Sequence, residues 1–86
     1  MSEVNAVANE EFKNYVYDLG LLLKEKALEA KAAKNESRGG DNYDYYLGYL
    51  MAFHEIVSMM QQQAEAFDIA LNDIGLGDID PELELL

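Results

Sequence analysis

The sequence predicts an all-α fold: a two-helix antiparallel hairpin with a short C-terminal tail, dimerising into a four-helix bundle, as one domain over residues 1–86. Three observations point there. Tyr43, Leu50, Val57, Ala64 and Leu71 recur every seven residues, and Tyr46, Phe53, Met60, Phe67 and Ile74 follow each by three. A 3.5-residue period sustained over that length is the signature of coiled-coil-like packing. The stretch NESRGGDN (35–42) interrupts the helical pattern with polar residues and two adjacent glycines, a connection short enough to set its neighbours antiparallel. Finally, no strand-like alternation and no internal repeat is present.

The first helix is expected over about 5–34. Ser2 or Asn9 can cap its start, each followed by acids that suit the positive end of the helix dipole, and Lys31 and Lys34 suit its negative end. Its apolar stripe reads Phe12, Val16, Leu19, Leu23, Ala30 and Ala33, interrupted where Lys26 falls in the seam and widened by Tyr15, Leu22 and Ala27. The second helix is expected over about 42–74, capped by Asp41 or Asn42 and ended by Gly75 in a left-handed conformation with Leu76 folding back. In the tail, 75–86, Asp80 followed by Pro81 and Glu82 is a helix-start signal for one or two turns. Leu83, Leu85 and Leu86 either dock on the bundle or remain mobile.

Size and composition turn this hairpin into a dimer. A chain of 86 residues supplies a small core and needs a staple: disulfides, a metal or a second copy. There is no cysteine, and one histidine cannot build a multi-histidine site in a single chain. The stripe of the second helix is also too wide for one neighbour. Tyr46, Leu50, Phe53, Val57 and Met60 are assigned to the central seam, His54 lies beside it, and Leu47, Tyr49 and Ile56 widen it towards the partner. Tyrosines suit a surface that is apolar on one side and wet on the other.

The net charge of −11 is unevenly spread. All six Lys and Arg precede residue 39, and ten acids follow it without a single base. Direct nucleic-acid binding, which needs a basic footprint, is not expected. The acidic half has two readings, solubility alone and recognition of a basic protein partner; for the second, Asp73, Asp78, Asp80, Glu82 and Glu84 form the proposed acidic surface. The start of the chain lacks a signal-peptide pattern and no run is long enough to span a membrane, so a cytoplasmic protein is expected.

Chemical motifs fail in specific ways. His54-Glu55 opens like a zinc-peptidase helix, but Ser58 stands where the second histidine belongs. The di-iron Glu-x-x-His pattern would need a glutamate where Met51 stands. Ser58 and His54 have no oxyanion loop beside them. No catalytic residue, cofactor or metal is therefore expected. The expected function is that of a non-enzymatic, homodimeric interaction or regulatory module. Two alternatives stand beside it: an acidic inhibitor or nucleic-acid mimic of a basic protein, and a small-ligand binder with a pocket lined by Tyr46, Phe53, His54 and Met60. The segments EIVSMMQQQAEAF (55–67) and GLGDIDPELELL (75–86) resemble a group of short bacterial proteins of unassigned function. That resemblance implies a small cytoplasmic protein and brings no activity with it.

Overall fold

The structure, a computed structural model, describes residues 2–86, with side chains from Asn9 onward. Every regular element among them is helical: α1 (Ser2–Glu36), α2 (Tyr43–Ala66), a 3-10 turn (Leu71–Ile74) and α3 (Pro81–Glu84). Asn9 lies inside α1 rather than capping it, and Ser2 as a cap lies outside the described side chains. Between α1 and α2, Gly39 takes the left-handed conformation at φ 78 that glycine adopts without steric cost. Asn42 occupies the cap position of α2, but its side chain makes no capping hydrogen bond.

The packed seam of α1 differs from the expected one by one column. The seam column of α1 is Val16, Gly20, Leu23, Ala27, Ala30 and Lys34, with Gly20, Ala27, Ala30 and Lys34 buried and Gly20 facing the Ile74–Gly75 turn. Lys26 is exposed and pairs with Glu29 at 3.7 Å, whereas Lys34 is the lysine whose stem the packing covers. Leu19 and Phe12 fall outside the seam and are exposed. The reason is space. Small alanines at the contact leave room, so the large side chains Leu50 and Val57 on α2 fill the gap and become fully buried.

The second helix is shorter than its heptads suggest and stops at Ala66. Its end is a Schellman motif: the Ile69 amide donates to the Ala64 carbonyl at 2.8 Å, and the Asp68 amide to that of Glu65 at 3.1 Å. Asp68 holds the left-handed position at φ 57 that glycine usually takes. The opposing helix explains the stop. Upstream of Val16 and Gly20 the seam columns of α1 continue as Asn9 and Lys13, so a longer α2 would lay Leu71 and Ile74 against polar side chains. Gly75 does adopt the expected left-handed cap, φ 73, with Leu76 folded back and buried. It closes the 3-10 turn, not α2.

The chain after Ala66 therefore returns along the hairpin instead of extending it. Ile74, Leu76, Ile79 and Leu85 join Leu50, Val57 and the α1 alanines in one core. Leu83 and Leu86 are exposed. The approach of this segment to α1 is backbone to backbone. A Cβ on Gly20 would lie 1.6 Å from the Ile74 carbonyl oxygen, and one on Gly75 would lie 2.5 Å from that of Tyr17.

Two glycines on the same scaffold thus separate propensity from packing. Gly48→Ala, whose Cβ meets nothing, should stabilise the protein by up to about 1 kcal/mol through helix propensity. Gly20→Ala gains the same propensity and should nonetheless destabilise by about 1–3 kcal/mol, because backbone has to move. Urea unfolding of both variants checks the pair; equal effects would mean that the 3-10 turn does not seat on Gly20.

Candidate functional site

Two grooves run between α1 and α2, and they are treated differently. The C-terminal segment fills one. It meets Tyr17, Lys24 and Lys31 on α1, and His54 and Gln61 on α2. Each of these stands one residue after a packed seam position. In an antiparallel pair those offsets fall on the same side. Leu47 shares the His54 and Gln61 column and so belongs to this filled side, not to the surface facing outward as expected.

The polar groups of the segment are consumed in holding it. The Lys24 Nζ donates to both Asp78 oxygens at 2.9 Å. Gln61 Nε2 donates to the carbonyls of Leu76 and Ile79 at 3.0 and 2.9 Å. Lys31 Nζ donates to the Leu86 carbonyl. Asp80 caps α3 by accepting from the Glu82 and Leu83 amides, and Glu84 reaches back to accept from the Asp80 amide at 2.6 Å. Glu82 lies 3.3 Å from His54 Nε2. That distance is within ion-pair range, but the angle forms no hydrogen bond, and the nitrogen is covered and unpartnered. Three of the five residues expected to face a basic partner, Asp78, Asp80 and Glu84, thus have hydrogen-bond partners within the chain, and Glu82 only stands near His54. Asp73 has none among the described residues.

The second groove is open. Its columns stand one residue before the seam positions: Phe12, Tyr15, Leu19 and Leu22 on α1, and Tyr45, Tyr49, Ala52, Ile56 and Met59 on α2. Phe12 is 70% exposed, Tyr45 68% and Met59 58%. Tyr46, Phe53 and Met60 border this groove, half-buried, while Leu50 and Val57 lie beneath it in the core. The tyrosines form an aromatic chain: Tyr45 stacks on Tyr49 with centroids 6.3 Å apart, and Tyr49 meets Phe53 edge-on at 5.1 Å.

The pocket residues proposed for a small ligand are not brought together. His54 lines a solvent-open hollow of about 480 Å³ with Glu55, Ser58, Gln62 and Glu82. Met60 lines a different, apolar cleft of about 410 Å³ with Val16, Phe67, Ile69 and Ile74. Among the described residues, no group of three or more His, Asp or Glu side chains is arranged to hold a metal. No helix there is long and apolar enough to cross a membrane. The glycine that seats the tail, Gly20, went unnoticed in the sequence. The available signal was a helix-interior glycine between leucines, which costs stability unless backbone approaches it.

The Lys24 ammonium, hydrogen-bonded to Asp78, holds that carboxyl below its ordinary value, against the opposing effect of desolvation. A carboxyl with a depressed folded value stabilises above its ordinary pKa, 3.8, and that contribution is lost as pH falls through the folded value. Docking of residues 76–86 should accordingly weaken below about pH 4, followed by the amide resonances of Leu76, Ile79 and Leu85. Asp78→Asn should flatten that acid limb; an unchanged limb would show that the Lys24 pair does not hold the segment. No family model, curated protein or solved structure matches this chain, so the use of these surfaces is read from their geometry alone.

Proposed function

We propose that this protein is a non-enzymatic interaction module that works as a homodimer, two hairpins closing their open grooves on each other as a four-helix bundle. The observation that carries this reading is a sector of α2 without charge. In a chain of net charge −11, the three adjacent columns Tyr45–Ala52–Met59, Tyr49–Ile56–Gln63 and Tyr46–Phe53–Met60 contain no ionisable group except tyrosine. Solubility alone would spread acids over that face. A second copy of the same acidic chain can approach it without like-charge contact, and an isologous interface needs one self-complementary patch.

Surface area supports the same reading. The chain exposes 6172 Å², about 1000 Å² more than a compact monomer of its mass is expected to expose. The overhang of α1 beyond α2 accounts for part of that excess. A standard interface buries about 800 Å² per partner. The single histidine lines an open hollow, but its Nε2 is covered and makes no hydrogen bond, and no second catalytic-type group among the described residues is hydrogen-bonded to it. Against a nucleic-acid mimic stands the use of the Asp78, Asp80 and Glu84 carboxylates in hydrogen bonds within the chain.

Sedimentation equilibrium at micromolar concentration should give twice the 9.7 kDa chain mass, and the thermal midpoint should rise with concentration. Ile56→Asp should shift the chain to monomer and lower the midpoint while leaving Leu50 and Val57 packed. Phe53→Asp, closer to the core, should also cost helix content. A monomer with a concentration-independent midpoint would refute the bundle.

A further inference from the structure

We propose a second interaction surface, at the end of the open groove where Phe12 borders both: the cleft at the hairpin's open end takes a hydrophobic anchor from a basic segment of another protein. The cleft forms because α1 runs on past the last turn of α2. Its floor is Phe12, Val16, Ile69 and Ile74, enclosing about 330 Å³, and its lips are Asp68, Asp73 and Lys13. The room suits one large aliphatic or aromatic side chain.

Charge selects the occupant. Asp68 and Asp73 have no ion-pair partner among the described residues, and Lys13 lies beyond ion-pair distance of both. Carboxylates therefore outnumber the one ammonium around an apolar floor. That is the complement of a segment with an aliphatic or aromatic residue flanked by Lys or Arg. The contrast with the rest of the acidic half is what singles this place out. Asp78, Asp80 and Glu84 are engaged within the chain, while Asp68 and Asp73 border an exposed apolar surface without an ion-pair partner among the described residues. A second copy of this chain would bring its own acids and is the poorer occupant here.

The position of Asp68 allows a clean test. Asparagine tolerates the left-handed conformation as well as aspartate does, so Asp68→Asn removes the charge and keeps the Schellman turn. A fluorescein-labelled amphipathic Leu/Lys helical peptide is titrated into the full chain and read by anisotropy. Binding should weaken with salt. It should fall about fivefold or more in Asp68→Asn/Asp73→Asn, the range open to two exposed ion pairs, and fall likewise in Phe12→Ser. Asp18→Asn/Glu25→Gln, on the far side of α1, should bind as the parent chain does. Equal losses in that control pair would reduce the effect to net charge and overturn the proposal, as would a Leu/Glu peptide binding equally well. Sedimentation at saturating peptide separates the two surfaces. Peptide bound to an intact dimer supports both, and peptide bound to a chain that is monomeric throughout keeps the cleft while rejecting the bundle. Peptide that splits a dimer makes the cleft part of the dimer face and overturns the inference.

Discussion

The contact between Gly20 and the Ile74–Gly75 peptide is the constraint on which the remaining architecture rests. With no Cβ at either glycine, the 3-10 turn lies directly against the helix backbone. That closeness brings Ile74 and Leu76 into the core and aims the chain down the groove, so that Ile79 and Leu85 follow. A Cβ at Gly20 would push the turn outward and withdraw the anchors in sequence. The core of the hairpin alone consists of Leu50, Val57 and three alanines, too little apolar burial for a domain of this length. The returning segment is therefore structural, not an appendage.

This placement gives the uneven charge a physical meaning. The bases lie in the first half of the chain and the acids dominate the second, and two lysines of the first half meet the returning segment across the filled groove. Lys24 meets Asp78 and Lys31 meets the Leu86 carbonyl. Individually such exposed contacts are weak; their effect is to choose which groove the segment enters, since the other groove offers only Lys26, already paired with Glu29. Filling one groove leaves the other open. The open face and the end cleft are both consequences of where a single segment goes, and any partner has to use what that segment leaves uncovered.

The sequence by itself determined two long helices, an antiparallel connection, a left-handed Gly75, a cap at Asp80 and an α2 seam centred on Leu50 and Val57. Each of these follows from local chemistry or from a short repeat: Gly-Gly breaks a helix, Asp-Pro starts one, and a column of apolar residues every seven positions must find cover. The same reasoning placed Tyr49 and Ile56 on an outward surface, because they widen the stripe beyond what one neighbouring helix covers.

What only the tertiary structure decided is the end of α2, the true seam of α1 and the fate of the acidic tail. The heptads continue unbroken to Ile74, and no local signal stops them at Ala66; the stop comes from Asn9 and Lys13 on the facing helix, some fifty residues away in sequence. On α1, volume chose between two neighbouring stripes. The one with Gly20, Ala27 and Ala30 permits close approach, so the bulkier Phe12, Leu19 and Leu22 are left outside. Among the tail acids, Asp78 reads as free surface in the sequence, and its partner Lys24 lies 54 residues away. Pairing across such a distance in sequence has no periodic signature, because it depends on which backbone surfaces can touch.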